Sequence, residues 1–375
     1  MTKTLLAHTL FAALAAATSA AQAETFRTEK HEVRVVTVAK GLSHPWGLAF
    51  LPDGRMLVTE RPGRMRIVAM DGRVSPPLAG VPEVYARGQG GLLDVALHPD
   101  FARNRLVYFS YAEPGPGGAG TAAAMARLSD DGARLENLKV VFRQQPKSEG
   151  GNHFGSRLVF ARDGRLFITI GERYQMELAQ DISVNRGQVI RIEADGRIPA
   201  DNPFVNRNGA RPEIWSYGHR NPQGAALHPQ TGKLWTVEHG PAGGDEVNIP
   251  LPGRNYGWPV IGYGNHYNGR PIGVGTHKEG MEQAVYYWNP AIAPSGMDFY
   301  TGDKFPGWRG NMLIAVLKEQ MLVRLELSGE KVVREERMLR GIGDRLRHVR
   351  TGPDGYVYLL TDESDGRIPR LEPAR

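Results

Sequence analysis

Six stretches of the chain repeat one pattern of apolar and polar positions: "GLAFLPDGRMLVTE" (47–60), "DVALHPDFARNRLVYFSY" (94–111), "RLVFARDGRLFITIGE" (157–172), "GAALHPQTGKLWTVEHG" (224–240), "GMDFYTGDKFPGWRGNMLIAVLK" (296–318) and "VRTGPDGYVYLLTDE" (349–363). Each runs apolar, breaks at a turn rich in Pro, Asp and Gly, and resumes in a β-rich stretch such as Leu166, Phe167, Ile168, Thr169, Ile170. The Asp-Gly pairs at 53–54, 163–164 and 354–355 mark hairpins. Six repeats over ~350 residues give a period of about 58, the length of a four-stranded blade with one long loop. A sandwich or a pair of separate β domains is the plainer arrangement. Regular recurrence from 47 to 363 without a Ser- or Pro-rich linker favours an all-β, six-bladed β-propeller over residues 24–375. Its functional loops would surround one end of a central channel. No helix longer than a turn or two is expected.

Composition agrees. Of 375 residues, 46 are Gly and 26 Pro, spread along the chain, which suits many short strands joined by turns. There is no Cys, so disulfides, thiolate metal sites and Cys nucleophiles are excluded. Any metal must be held by oxygen or imidazole. Lys3, the apolar stretch Leu5–Ala21 and the small-x-small end Ala21-Gln22-Ala23 read as a cleavable export signal over 1–23. The alternative is an uncleaved anchor. No later segment approaches ~18 continuous apolar residues, so no membrane span is expected in the mature chain, and a bacterial cell would hold it in the periplasm. Without 1–23 the count is 45 basic against 40 acidic residues, net +5, and the charges are interspersed. No basic block resembles a nucleic-acid arm, and no nucleic-acid partner is expected.

The polar motifs sit at matching places between repeats. Gln89 lies among Gly88, Gly90 and Gly91, where backbone can approach a ligand, although a tight glycine turn explains the run as well. His153 occupies a polar, Gly-flanked loop leading into a strand and is the best general-base candidate, because imidazole titrates near neutral pH. His44, His98, His228 and His348 stand at turn positions and look structural. Arg220 and Asn221 join a guanidinium and an amide before Pro222, a pair suited to a carboxylate or quinone oxygen. Gly240, Pro241, Asp245, Glu246 and the Tyr256 carbonyl form an oxygen-only set that suits Ca²⁺ rather than zinc or copper, or else a solvated acidic turn. Lys318, Arg345 and Arg347 would make, with Arg220, a site for a polyanion if they converge on one channel mouth; singly each is an ordinary solvated cation.

Together these motifs resemble the soluble glucose/sorbosone dehydrogenases, the pyrroloquinoline quinone (PQQ)-dependent aldose sugar dehydrogenases. The likeness runs from Leu42 to Leu371 and rests on "GQGGLLDVALHPDF", "NHFGSRL", "GHRNPQG", "EHGPAGGDEVN", "NYGWP", "LK" and "RLR". It implies His153 as the base for the sugar hydroxyl, Arg220 and Asn221 at the quinone, and Lys318, Arg345 and Arg347 on its carboxylates. Gln89 would lie beside cofactor and sugar, and Tyr267 would stack on the cofactor plane. The carbonyls of Gly240 and Pro241 would hold the Ca²⁺ that also binds PQQ; Glu246 and the Tyr256 carbonyl would hold a second, structural Ca²⁺. Two positions depart from the better-known glucose dehydrogenases: Asn152 stands for Asp and His239 for Gln, and both bear on sugar preference.

The resemblance implies hydride transfer from the anomeric carbon of an aldose to PQQ, with an aldonolactone as product and an electron acceptor still to be identified. NAD is not expected, since no Gly-rich strand-to-helix fingerprint followed by an acidic residue appears. Two rivals stand beside it. A calcium-dependent propeller lactonase or esterase would want several carboxylates on one Ca²⁺ and no cationic set. A non-catalytic propeller binding module would want an exposed aromatic surface and no buried His–Arg pair.

Overall fold

The computed structural model describes residues 24–374, so the export signal expected over 1–23 lies outside the described residues. The chain forms six antiparallel sheets. Blade 1 holds Pro45–Phe50, Met56–Glu60 and Arg64–Val68; blade 2 runs from Leu92–Leu97 outward to Leu135–Arg143; blade 3 from Leu158–Phe160 to Ile214–Tyr217. Blade 4 runs from Pro222–Leu227 to Tyr286–Trp288, blade 5 from Pro294–Phe299 to Lys331–Met338. Blade 6 joins the two ends of the chain: Leu346–Thr351, Val357–Thr361 and Gly366–Pro373 are extended outward by Glu32–Leu42 and Glu24–Arg27, with Val35 opposite Leu371. The first strand of each blade packs against the first strands of both neighbours, closing a ring of six. Blades of three and five strands replace the uniform four that the repeat length suggested, because the N-terminal strands complete the last sheet. Among the described residues the only helices are Phe101–Asn104 and a 3-10 turn at Met176–Gln180.

Each predicted repeat is the inner hairpin of one blade. The Asp-Gly turns are five-residue loops: Leu51 N–H donates to Arg55 O, Asp53 Oδ1 accepts from Arg55 N, and Gly54 takes φ 87°. The same arrangement recurs at 161–165 and 352–356. The second strands read as unbroken apolar runs because neighbouring blades cover both their faces, as in doubly covered sheets. All five residues of Leu166–Ile170 and of Met312–Val316 are buried. A separate apolar cluster fills each of the six blade interfaces, for instance Leu57 and Ile67 against Leu92 and Val107 between blades 1 and 2.

The middle of the channel is closed by a buried ion pair. Arg157 Nη1 lies 2.9 Å from Asp94 Oδ1, its Nε donates to Gln223 O, and Trp46 lies 4.0 Å from the guanidinium. Glycines at matching inner-strand positions let neighbouring blades approach this closely around the channel: a Cβ on Gly224 would stand 2.2 Å from Ser295 O, and one on Gly296 2.3 Å from His348 Nδ1. In an antiparallel hairpin, the residue before the first strand and the residue after the second emerge at the same end. Residues from both places in several blades therefore gather around one channel mouth.

Candidate active site

His153 is held at this mouth in the left-handed region, φ 56°. Its N–H donates to Gln89 Oε1 at 2.9 Å, and Gln89 N–H donates to Gly151 O, so the two Gly-rich loops lock each other. The imidazole is buried, with Nδ1 2.5 Å from Glu172 Oε2. A carboxylate on Nδ1 selects the tautomer with the proton there, leaving Nε2 as a lone pair. Burial, aided by Arg220 and Arg173, holds the His153 pKa below its ordinary value despite Glu172, so the ring is neutral at neutral pH. It lines a cavity of about 300 Å³ with Tyr174, Arg220, Pro241, Trp258 and Tyr267.

A second cavity of about 500 Å³ lies beside the first, with Gln89 on its wall. Arg61, Arg345 and Arg347 also line it, with His44 and His239. Arg347 is buried and already paired: Nη2 lies 2.6 Å from Asp362 Oδ2, and Nη1 donates to Gln223 Oε1 and Ser295 Oγ. Its charge is largely met, which leaves Arg61 and Arg345 as the less compensated cations of that wall. Lys318 is exposed at the rim, its Nζ 3.1 Å from Ala291 O. His44, which looked structural in the sequence, belongs to this wall through a 2.9 Å contact of Nδ1 with Asp362 Oδ1. His239 donates from Nε2 to Pro294 O, and burial with Arg220 and Arg347 nearby pushes its pKa down to about 3.

Arg220 is buried between the two groups, its guanidinium 5.3 Å from the Trp258 ring. Nη1 donates to the carbonyls of Gly240 at 2.8 Å and His239 at 3.1 Å, while Arg220 Nε and Asn221 Nδ2 are buried without a partner. Asn221 Oδ1 accepts from Gly155 N–H. Asp245 is no free oxygen ligand. Its Oδ1 takes Gly240 N–H and its Oδ2 takes Ile292 and Ala293 N–H, tying the loop at 240 to blade 5, and burial raises its pKa to about 6. Below it, Glu238, Gly240, Pro241, Glu246 and Tyr256 line a very small cavity. Glu246 stands opposite Glu238 in the strand register, and Asn248 Nδ2 bridges the two carboxylates. Burial and the Glu238 charge push the Glu246 pKa up to about 8. Two buried carboxylates sharing one amide suit a cation. Among the described residues no group of three or more His, Cys, Asp or Glu side chains is placed to hold a metal, so a cation at this place would also need carbonyl ligands.

A Ser216–His219–Glu238 chain has hydrolase-like spacing, 2.9 and 2.8 Å, but Ser216 and His219 are 0% exposed. No substrate reaches that hydroxyl. The rest of the mouth is aromatic and cationic around one oriented imidazole.

Comparison with known proteins identifies the chain. Residues 42–370 match the model of the family described as Glucose / Sorbosone dehydrogenase. The chain belongs to that family. It is 50% identical over 345 residues to the aldose sugar dehydrogenase YliI of Escherichia coli strain K12, covering 91% of this chain and 93% of that one. A crystal structure of a glucose dehydrogenase superposes with TM-score 0.89 at 56% identity, over 91% of this chain and 99% of the other. The PQQ-bound aldose sugar dehydrogenase of Streptomyces coelicolor superposes with TM-score 0.77 at 31% identity, over 92% and 98%. The chain is thus a six-bladed β-propeller and an oxidoreductase, and a glucose/sorbosone dehydrogenase by descent.

Sequence reasoning missed Glu172, Arg61, Asp362, Tyr174 and Trp258. Three of these carried a legible signal. Arg61 and Asp362 directly follow the second strands of their blades, as Lys318 and Gly240 nearly do, and Glu172 stands two residues after Ile170.

Proposed function

We propose that this chain oxidises aldose sugars at the anomeric carbon to the aldonolactone, using PQQ and Ca²⁺, and passes the electrons to an acceptor that remains to be identified. The observation that carries the reading is the His153–Glu172 pair, which presents an open, neutral Nε2 beside a cation-lined cavity. Arg345, Arg347 and Lys318 would hold the carboxylates of PQQ, Arg220 and Asn221 its quinone edge, and Gln89 and Tyr267 its flanks. The buried, unpartnered Arg220 Nε and Asn221 Nδ2 fit such a ligand. The carbonyls of Gly240 and Pro241 would hold one Ca²⁺, and Glu246 with the Tyr256 carbonyl a second; the crowded Glu238–Glu246 pair fits a cation.

When bound, PQQ supplies the hydride acceptor and Ca²⁺ the Lewis acidity that polarises it. The protein's own part is positional and electrostatic. His153 Nε2 takes the proton of the anomeric hydroxyl as the C–H bond breaks, and Glu172 stabilises the imidazolium that forms; general-base help of this kind contributes ~10²–10⁴ in rate. The buried guanidinium of Arg220 would stabilise negative charge that builds on the acceptor side. Trp258, buried on the cavity wall, would shield the reacting carbon from water, whereas Tyr267 is 70% exposed at its edge. Residues 1–23 would export the chain to the periplasm, where such an enzyme meets sugars directly.

A reconstitution titration tests the proposal. Protein stripped with EDTA and freed of PQQ should show no aldose oxidation until both PQQ and Ca²⁺ are restored, and NAD should not replace PQQ. Full activity in stripped protein would overturn it.

A further inference from the structure

The segment Glu172-Arg173-Tyr174 carries two consecutive non-glycine residues in the left-handed region, with φ 59° at Arg173 and φ 64° at Tyr174. Such pairs are unfavourable for L-residues and persist only where surrounding contacts over-determine them. Here the contacts are visible. Arg173 is buried, its guanidinium 3.6 Å from the Phe154 ring, and it donates to the carbonyls of Asn152, Gly150 and Ser148. Burial pushes its pKa down to about 10, so it stays charged. Tyr174 N–H then reaches Glu172 Oε2 at 2.8 Å, the same oxygen that holds His153 Nδ1. The ring that results is costly to display: Tyr174 is 58% exposed, its centroid 4.9 Å from that of His153. Its hydroxyl has no hydrogen bond among the described residues.

We propose that this strained turn exists to hold Tyr174 as the apolar platform of the sugar subsite, so that the ring stacks on the C–H face of the pyranose and sets affinity for it. The proposal rests on the aldose-oxidising reading above. A pyranose offers one face of C–H groups and a rim of hydroxyls. The cavity offers the complement, with Tyr174, Met176 and Trp258 around one imidazole, while the anion-binding guanidiniums of Arg61, Arg345 and Arg347 lie in the neighbouring cavity. The backbone N–H of Tyr174 separately helps align Glu172, and any residue at 174 except Pro retains it.

The test compares Tyr174→Gly and Tyr174→Phe with wild type, each loaded with PQQ and Ca²⁺ and assayed on D-glucose. Glycine accepts φ 64° without strain, so Tyr174→Gly should keep a Tm at or above wild type, while KM rises about tenfold, the worth of one aromatic face. Its kcat should stay within about threefold, because the N–H to Glu172 survives. PQQ affinity, read by fluorescence quenching, should not move, and Tyr174→Phe should behave as wild type throughout. A KM within twofold of wild type in Tyr174→Gly overturns the proposal, as does a weakened PQQ affinity, which would place the ring on the cofactor. A lowered Tm accompanying the loss also overturns it, since that marks a structural role. Wild type inactive on D-glucose and on other aldoses would instead refute the functional reading itself.

Discussion

Replacing Glu172 by Gln removes a charge while keeping shape, at the one residue that both orients and electrostatically supports the His153 ring. In the native geometry the carboxylate accepts from His153 Nδ1 at 2.5 Å and from Tyr174 N–H at 2.8 Å, and both His153 and Glu172 are buried. A charge-assisted hydrogen bond of this kind is worth about 1.5–3 kcal/mol. If it is felt chiefly once the imidazole is protonated in the transition state, kcat should fall about 10- to 150-fold. A larger loss, toward ~10⁴, is expected if the Gln amide turns its NH₂ to Nδ1 and forces the proton onto Nε2, since the base then has no lone pair to offer. The pH profile adds an independent sign. His153 acts as base only when neutral, so the rate rises with pH through its pKa and is flat above; burial places that rise below the ordinary value of about 6.5. Glu172 raises the His153 pKa, so in Glu172→Gln the rise moves to still lower pH while the plateau drops. Steady-state kinetics at saturating PQQ, Ca²⁺ and aldose, with 1-deuterated sugar to confirm that the chemical step is observed, would measure both. A variant with kcat within about threefold of wild type and an unmoved profile would refute the assignment of His153 as base.

Arg345→Ala should weaken PQQ binding by one charge-assisted contact, about 10- to 150-fold by titration, and leave folding intact. Arg347→Ala should also destabilise the protein in a denaturant melt, by at most about 3–5 kcal/mol, because the buried Asp362 that it now pairs at 2.6 Å keeps only His44 as a side-chain partner. Calcium should raise the Tm of wild type; Glu246→Gln should shrink that rise while the calcium-free Tm at neutral pH changes little, since burial beside Glu238 already favours the protonated, uncharged Glu246. Asp94→Ala should cost about 3–5 kcal/mol of stability by leaving Arg157 unpaired in the channel, with little change in KM for sugar once folded.

How much of this was legible in the sequence depends on whether the controlling physics is local. Leu166–Ile170 and its five counterparts declare a strand because each residue's own side chain must be buried, and the Asp-Gly turns declare a hairpin because Gly54, Gly164 and Gly355 take the left-handed corner without a side-chain penalty. Recurrence of that unit determined the six-bladed ring, and the motif loops at the strand entrances determined which residues gather at its mouth. The tertiary structure decided what the sequence leaves open: which cation is already paired within the protein and which is not. Arg347 and Arg345 look equivalent two residues apart, yet only Arg347 pairs its guanidinium with the Asp362 carboxylate, which follows the next strand of the same blade across a register shift; Arg345 meets Asp362 through its backbone carbonyl alone. Asp245 reads as a metal ligand until its two oxygens are seen holding three backbone N–H groups from two blades. Glu172, 19 positions from His153, becomes its partner only because hairpin geometry returns the second strand to the end where the first began. Burial and apolar periodicity are properties of a segment and can be read along the chain, whereas the pairing of charges depends on distances between segments, which exist only once the ring has closed.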